Sequence, residues 1–585
     1  MFKKIKLYSV LSFIVIFALF SAGCTSSSKP EYHQKKFDNF IQELFVKEVQ
    51  SDSISLNYSL ANPEAFGIKN TKATLGEYNV RKIKEDLMTF EQYLKDLDNI
   101  DYNALSADRQ LTYDILYNYL ETEIELGNYL YYFESLGPTT GLQAQLPILL
   151  AEFNFYDKDD IDRYLDLLPC VYDYFEDIVE FEKEKSEKGL FMSDAVADRI
   201  IEQCTAFIAE PENNFLIEYF NEKIENFPGL TQEETEKYKN ENRQRVLEYV
   251  IPSYKMLINA LESLKGTGIN NAGLYYYPEG QAYYECLVKY KTGSAKSMEE
   301  IINMLETAID KGFLEINRLL ISDHRILDKL ESFTSFPLTD PAEILNDLKN
   351  DIVTDFPEPV EVNCEIKYVH ESLSDYLSPA MYLMPAIDNY TNNNIYINGN
   401  DEETLATIYT TVAHEGYPGH LYQNVYFRSQ NPSPIRSILD FVGYDEGWAT
   451  YVEFLSYKYA GIDPNLADLL EVNNRILLLM YARADIGIHY EGWTKKEAVS
   501  YINKFSNDEE ISAKIYDILL EEPAAYLPYA VGYLEITELK NKAEETLGDD
   551  FNLKEFHQFL LDIGPAQFGI IEKYLDAWLE NKRAN

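Results

Sequence analysis

The spacing of hydrophobic residues along most of this chain is that of amphipathic helices. Apolar positions recur three and four residues apart, with acidic residues and lysines between them. Pro169 and Pro252 lie inside two such stretches, and each should kink or split its helix. The pattern predicts long helices over residues 83–97, 111–126, 161–181, 195–209 and 233–264.

One region follows a different pattern. Between Val360 and Tyr368, apolar residues alternate with polar ones, which is typical of a half-exposed strand. Residues 394–398 are a second strand candidate, and Asn400 or Asp401 can cap the helix that follows. We therefore expect a mainly α, multi-helix protein with a small β-sheet next to that helix. The apolar face of the helix consists of Leu405, Ile408, Tyr409 and Val412.

A glycine-rich break divides the chain. Gly266, Gly268 and Gly273 lie close together between helical stretches. They predict a boundary between an N-terminal helical lobe, residues 36–272, and a C-terminal lobe, residues 273–585. The second lobe contains the chemical motifs described below, so we expect it to be the catalytic one.

The N-terminus has the pattern of a targeting segment. Three lysines precede an apolar run over residues 7–20, which is shorter than the roughly 20 residues of a membrane span. Small residues and then Cys24 follow, as in a bacterial lipoprotein signal. We expect residues 1–23 to be a signal peptide and residues 24–35 a polar tether. A lipid on Cys24 would then hold the protein at the extracytoplasmic face of the bacterial cell membrane. The alternative is an ordinary secretory signal with an incidental cysteine.

The charge of the chain narrows the possible partners. There are 98 acidic residues against 51 lysines and arginines, a net charge of −47, and no basic stripe interrupts this excess. Nucleic acid is therefore not an expected partner, because phosphate binding needs concentrated cations. Anionic membrane surfaces should not attract the body of the protein either, whereas divalent cations are favoured.

The remaining cysteines do not indicate a metal site. They are far apart in the sequence and lack the paired spacing of zinc ligands. We expect buried free thiols rather than disulfides. These residues are Cys170, Cys204, Cys286 and Cys364.

The most informative motif is His-Glu-Gly-Tyr-Pro-Gly-His over residues 414–420. A His-Glu pair on a helix followed by a second histidine is the chemistry of a zinc hydrolase. In such a site His414 and His420 would bind the metal, and Glu415 would take a proton from the water that the metal activates. The alternative is a helix end with two hydrogen-bonded histidines.

The spacing of the two histidines requires a break in the helix. The usual gap is four residues, whereas His414 and His420 are six apart, which turns them roughly 120° from each other on a straight helix. Pro418 lacks an N–H and would clash with the carbonyl group of His414 in a regular helix. Gly416 and Gly419 loosen the chain on either side. We therefore expect the helix to bulge or break here, so that His420 returns toward the metal.

A third ligand is expected downstream. Catalytic zinc commonly has three protein ligands, and two candidates lie in the segment Asp-Glu-Gly-Trp-Ala-Thr-Tyr-Val-Glu. Glu446 and Glu453 are seven residues apart and share one helix face. One could bind the metal while the other holds a ligand histidine. The alternative is a solvated acidic helix start.

These two motifs together resemble the bacterial family called domain of unknown function 885. Its members are predicted zinc metallopeptidases of the gluzincin type, many of them secreted or lipid-anchored. The resemblance covers about residues 30–585. It implies a mostly helical fold with a deep cleft, His414 and His420 as ligands, Glu446 as the third ligand and Glu415 as the base. Further matching segments lie at 277–284, 483–494, 527–533, 556–557 and 564–565.

Two of the matching segments add candidate catalytic groups. Asp485 and His489 are four residues apart on one helix face, so Asp485 could orient His489 toward a substrate oxygen. A purely structural Asp–His pair is the alternative. The hydroxyl of Tyr529 could stabilise a tetrahedral oxyanion. The resemblance favours Tyr529, with Tyr533 as its rival.

Taken together, these features predict a lipid-anchored extracellular zinc metallopeptidase with a peptide substrate and one Zn²⁺ as cofactor. One alternative is a zinc hydrolase of a non-peptide amide or ester. Another is a non-catalytic, metal-containing binding lipoprotein, against which the intact Glu415 argues. The sequence indicates no oligomeric state.

Overall fold

The computed structural model describes residues 30–69, 71–369, 378–399 and 401–584. The predicted signal peptide over 1–23, the predicted lipid attachment site at Cys24, and Asn400 lie outside the described residues. Within them, none of the helices combines the length and the apolar composition that crossing a membrane requires.

The chain before the sheet is a series of helices, many of them started by local hydrogen bonds. Thr231 and Glu234 form one capping box, and Ser297 and Glu300 form another. The helices are α1 (Pro30–Val49), α2 (Ser53–Ser59), α3 (Val80–Asp98), α4 (Ala107–Gly127), α5 (Leu142–Ala151), α6 (Lys158–Leu167), α7 (Cys170–Glu187), α8 (Asp194–Phe207), α9 (Phe215–Asn226), α10 (Gln232–Arg245), α11 (Ile251–Leu264), α12 (Gly280–Thr292), α13 (Met298–Ser322), α14 (Ile326–Ser332) and α15 (Pro341–Asp351).

The five predicted helical stretches are confirmed, and both internal prolines interrupt them. Pro169 lies between α6 and α7, so the predicted helix over 161–181 is two helices. Pro252 is the second residue of α11, and a π-helical turn over Val246–Val250 joins α10 to α11. Of the expected tether over 24–35, residues 30–35 are helical, because α1 begins at Pro30, and residues 24–29 lie outside the described residues.

The small sheet has three strands. They are β1 (Asn363–Tyr368), β2 (Ala380–Leu383) and β3 (Asn392–Ile397). The spatial order is β1-β3-β2, with β1 parallel and β2 antiparallel to β3. The two predicted strands are confirmed with shifted limits. The edge strand β2 was not predicted, because four residues are too few to show an alternating pattern.

The helices after the sheet carry the candidate chemistry. Asp401 caps the first of them as predicted, but the single expected helix is two helices that break at Thr407. These helices are α16 (Glu402–Ala406), α17 (Tyr409–Glu415), α18 (His420–Ser429), α19 (Val442–Ser456), α20 (Pro464–His489), α21 (Lys495–Ser506), α22 (Glu509–Glu521), α23 (Leu527–Leu547), α24 (Leu553–Ile563) and α25 (Phe568–Ala584).

The largest hydrophobic core surrounds the sheet and α17. It contains Ile395 and Ile397 of β3 together with Val412 and Trp448, all with almost no exposed surface. Helix α4 contributes Leu111 to the same core. A second core is formed within residues 75–261. Residues of the predicted N-terminal lobe thus contribute to both cores, and the boundary near residue 273 stays a prediction.

The cysteines of the described chain are free thiols, as expected. Cys204 and Cys286 are buried, whereas Cys170 and Cys364 are partly exposed. Burial raises the pKa of the Cys204 thiol to about 12, so this group behaves as a small apolar side chain.

Candidate metal centre

The helix is interrupted between the two histidines of the motif. Helix α17 ends at Glu415 and α18 begins at His420, so each histidine stands at a helix terminus facing the other. Their ring centroids are 4.8 Å apart and nearly perpendicular. At Gly419 a Cβ atom would lie only 1.8 Å from the carbonyl oxygen of His414, so the tight return of the chain requires glycine there. The predicted break is confirmed.

Helix α19 stabilises the segment between the two helices through a side-chain hydrogen bond. The indole N–H of Trp448 donates a hydrogen bond of 2.9 Å to the carbonyl oxygen of Pro418, and Trp448 is fully buried. The same helix carries Glu446 and Glu453. One helix therefore both holds the turn in place and presents the two acidic candidates to the histidines.

Three side chains converge on one point. The Nε2 atoms of His414 and His420 lie 3.4 Å and 3.5 Å from Oε2 of Glu446. One ligand atom from each residue lies within 4.8 Å of the others. Ligands about 2.0–2.1 Å from a tetrahedral zinc are about 3.3 Å apart, so the two nitrogen–oxygen distances match those of a zinc site.

Glu446 has the character of a ligand rather than of a structural acid. Its Oε2 atom is buried and makes no hydrogen bond, although buried carboxylate oxygens are normally paired. Burial would raise the pKa of Glu446, but the charge of His420 and the close contacts with both imidazoles hold it well below its usual range. The carboxylate is therefore ionised, and its Oε2 atom faces the two imidazoles without a hydrogen bond.

Glu453 occupies the position behind His414. Its Oε2 atom lies 3.0 Å from Nδ1 of His414, opposite the nitrogen that faces Glu446. Burial would lower the pKa of His414, but the carboxylates of Glu446 and Glu453 beside its two ring nitrogens raise it well above the usual value. A carboxylate on Nδ1 fixes the ring so that Nε2 points to the metal. The two acids, which the sequence could not tell apart, thus take different roles.

Glu415 lies beside the metal site and is held by the sheet. It is 9% exposed, and its Oε2 atom accepts a hydrogen bond of 2.7 Å from the backbone N–H of Tyr382 on β2. Burial raises the pKa of Glu415 above its usual value, although the charges of His414 and His420 oppose this. A carboxylate with a raised pKa is better matched to accepting a proton near neutral pH.

Tyr529 reaches the site from α23. Its ring is stacked 6.4 Å from the ring of His414, and burial followed by the charge of Glu446 raises the pKa of its hydroxyl. The hydroxyl therefore stays protonated and can donate a hydrogen bond. The rival, Tyr533, instead packs edge-on against Phe454.

Glycine contacts between α19 and α23 bring Tyr529 close. A Cβ atom at Gly447 would lie 2.6 Å from the Cα atom of Gly532, and one at Gly532 would lie 2.1 Å from the carbonyl oxygen of Gly443. The two helix backbones therefore touch, and Tyr529 on α23 lies close to His414 and Glu446. No larger residue fits at these crossing points.

The expected role of Asp485 in orienting His489 is not what the structure shows. The carboxylate of Asp485 accepts hydrogen bonds from the hydroxyl of Tyr284 and from the backbone N–H of Ala524. Nδ1 of His489 accepts from the N–H of Leu274 at 3.1 Å.

Nε2 of His489 lies 2.9 Å from the carbonyl oxygen of Leu519 and donates to it. Both ring nitrogens are therefore used by the backbone, and no hydrogen bond of either residue reaches His414, His420 or Glu446. The prediction failed because the i, i+4 spacing shows a shared face but not which backbone groups pack against it.

Sequence inspection missed two groups at the site. The N–H of Tyr382 belongs to the unpredicted strand β2, so no sequence signal pointed to it. Trp448 lies inside a recognised motif, and a tryptophan two residues after a candidate ligand could have suggested a supporting contact.

Comparison with known proteins matches the chain to one bacterial family and to solved structures of similar fold. The family model described as "Bacterial protein of unknown function (DUF885)" matches residues 63–575. A predicted lipoprotein of Colwellia psychrerythraea has a similar structure, with a TM-score of 0.80 and 20% identity over 94% of this chain and 100% of the other. A predicted lipoprotein of unknown function from Shewanella oneidensis has a TM-score of 0.64 and 15% identity, over 92% and 98%. These identities show a shared fold alone, and no curated protein matches the chain.

Proposed function

The chain belongs to the bacterial family DUF885, and we propose that it is a zinc-dependent hydrolase that cleaves peptide bonds outside the cell. One observation carries the proposal. Two imidazole nitrogens and the ionised Oε2 of Glu446, which makes no hydrogen bond, converge within 4.8 Å, and a fourth side chain, the acid Glu415, lies beside them. Zinc in such a site is a Lewis acid that polarises a carbonyl group and lowers the pKa of water.

Glu415 is the proton acceptor in this proposal. Its carboxylate is fixed by the backbone N–H of Tyr382, which leaves the other oxygen, Oε1, to face the reacting water. It takes one proton as the water attacks the carbonyl carbon, and it gives that proton to the leaving amine. A binding protein without activity would have no use for an acid held in this position, which argues against the non-catalytic alternative.

Tyr529 and Glu453 support the reaction from two sides. The protonated hydroxyl of Tyr529 donates a hydrogen bond to the oxyanion that develops on the carbonyl group. Glu453 keeps the Nδ1 atom of His414 bonded, so that the ring cannot rotate away from its position. Asp485 and His489 have no part in the chemistry.

The proposed cellular location of the protein rests on its N-terminal signal segment. A signal that ends in Cys24 supports a lipid anchor on the extracytoplasmic face of the membrane, and the two structural relatives are described as predicted lipoproteins. Helix α1 begins at Pro30, so the lipid would lie only a few residues from the folded body. Substrates would then be peptides at the cell surface.

The test is a digest of a peptide library by the mature protein with and without zinc. We expect cleavage only with zinc, and we expect Glu415→Gln to keep zinc and fold while losing about 10²- to 10⁴-fold in turnover. Glu535→Gln is the matched control, because Glu535 is also a buried acid but bonds to Lys296 and Ser294. Activity of Glu415→Gln near that of the control would contradict the proposal.

A further inference from the structure

A cavity of about 510 Å³ opens beside the metal centre. His420 and Glu446 form part of its wall, and the face of α18 beyond His420 forms another part through Gln423, Asn424 and Arg428. These residues recur three, four and eight positions after His420, which is one face of a helix. The predicted metal ligand His420 thus lies on the same helix face as this part of the cavity wall.

Several donors in this wall lack partners. Arg428 is 8% exposed; its Nε donates to Asn424 and one Nη atom to the carbonyl oxygen of Ser437, but its Nη1 atom makes no hydrogen bond. Nε2 of Gln423, which is 4% exposed, and the hydroxyl of Ser437 are also buried without partners. Such groups cost free energy unless an acceptor reaches them, and no protein acceptor does.

The arginines of the cavity also differ from the other buried arginines. Arg475 and Arg483 are each paired with two glutamates. Arg428 and Arg436, the second arginine of the wall, form no ion pair with any acid of the described residues. Buried cations are rarely left without an anion.

We propose that this cavity is a subsite for a carboxylate of the substrate, with Arg428 as its cation and Gln423 and Ser437 as further donors. This inference rests on the proposed peptidase function and specifies its substrate class. Two other acids of the wall, Asp440 and Asp445, lie near the same space and offer the opposite preference, for an amine. The unpaired donors favour the carboxylate, and preference for an amine is one outcome of the test.

The position of Arg428 limits where the carboxylate lies in the substrate. Arg428 is eight residues beyond His420, which is about 12 Å along the helix axis. Helical side chains lean toward the N-terminus, so the guanidinium approaches the metal somewhat. An extended peptide advances about 3.3 Å per residue, so the carboxylate lies about two to four residues from the scissile bond.

A carboxylate can come from the end of a peptide or from an aspartate or glutamate side chain. Four acetylated or amidated probes separate these sources: acetyl-pentaalanine as the free acid, its C-terminal amide, the same amide with one alanine replaced by glutamate, and pentaalanine amide with a free N-terminal amine. Zinc-loaded protein should prefer the free acid to its amide by about 10- to 100-fold in kcat/KM. A gain for the glutamate peptide with none for the free acid would assign the side chain as the source.

Arg428→Gln should bring the ratio of acid to amide close to one, and Arg428→Lys should restore part of it, because lysine keeps the charge but not the fork of donors. Arg483→Gln is the matched control, a buried arginine whose partners are glutamates away from the cavity. Melting temperatures identify variants that fail to fold. An unchanged ratio in a folded Arg428→Gln variant, or preference for the free amine, would overturn the inference.

A binding measurement separates failure of the inference from failure of the proposed function. If no peptide is cleaved, the peptidase proposal fails, but the same four probes can be titrated calorimetrically into zinc-loaded Glu415→Gln protein. Tighter binding of a carboxylate probe, lost in the double variant with Arg428→Gln, would support the subsite on its own. Equal binding of acid and amide would overturn it.

Discussion

Two buried clusters of histidine and carboxylate can be compared within this molecule. In one, His414, His420 and Glu446 point at each other and leave a buried oxygen without a hydrogen bond. In the other, Asp485 and His489 are wholly buried, and their hydrogen bonds go to a tyrosine hydroxyl and to backbone groups.

The difference shows how a functional cluster can be told from a structural one. Residue types are similar in both, so they do not decide, and the exposed fractions of the side chains are 12–20% in the first cluster against 0–1% in the second. The feature that distinguishes the clusters is whether every polar side-chain atom has a hydrogen-bond partner. An atom that already has its partner is not available to bind a ligand. The cavity beside Arg428 follows the same rule as the metal centre, because its donors are also incomplete.

The largest expected effect comes from substituting one histidine of each cluster by alanine, in two separate variants. His414→Ala should abolish zinc binding and activity while leaving most of the fold, because it removes a ligand. His489→Ala should keep zinc but lower the free energy of unfolding by about 2–6 kcal/mol, since two buried backbone partners are left unsatisfied at about 1–3 kcal/mol each. Metal analysis, turnover and urea unfolding measure these effects. A zinc-free His489→Ala protein that remains folded would remove the distinction between the clusters.

The second prediction concerns the two acids of α19. Glu446→Ala should empty the site, because Glu446 supplies the third ligand atom. Glu453→Ala should retain zinc with an affinity about 10- to 100-fold weaker, as expected for an acid that only orients a ligand. Competition with a chromophoric chelator measures both affinities. If Glu453→Ala empties the site while Glu446→Ala leaves it filled, the assignment of the third ligand is wrong.

The smallest expected effect is the pH dependence of the stability contributed by His489 in the second cluster. Burial lowers the pKa of His489 to about 4, below its usual 6.5, so its neutral form contributes stability above pH 6.5 that is lost as the pH falls toward 4. His489→Gln keeps a donor and an acceptor but cannot titrate. Between pH 7 and 4.5 it should lose less stability than the wild type, by on the order of 2–3 kcal/mol.

Asp485 changes the stability in the opposite direction. Burial raises its pKa to about 7, so the stability that its protonated form contributes at low pH is lost as the pH rises toward 7. This contribution is present in both proteins and cancels in the comparison. Urea unfolding of metal-free protein at several pH values measures the difference. Parallel pH profiles for the wild type and His489→Gln would show that His489 is not buried in its neutral form.

Much of the metal centre could be predicted from the sequence because its determinants are local. Pro418 and the flanking glycines lie between the two histidines, so their effect on the helix could be worked out without knowing the fold, and α17 does end at Glu415. The mainly helical fold was predictable for the same reason. Helix periodicity extends over many residues, whereas the four residues of β2 show no pattern.

The parts that could not be predicted depend on distant segments. The partners of His489 are Leu274 and Leu519, which no spacing rule connects to it. Glu446 and Glu453 share a helix face, so the sequence allowed either to bind a metal, and it could not show that they face different ring nitrogens of His414. The cavity beside α18 is likewise closed by residues from other segments.

The most direct test of the account is anomalous scattering at the zinc absorption edge from crystals of the zinc-loaded mature protein. The account predicts a peak about 2.0–2.2 Å from Nε2 of His414, Nε2 of His420 and a carboxylate oxygen of Glu446, with Glu453 bonded to Nδ1 of His414 and not to the metal. A peak coordinated by Glu453 instead of Glu446, or no peak between the two histidines in protein that binds zinc in solution, would contradict it.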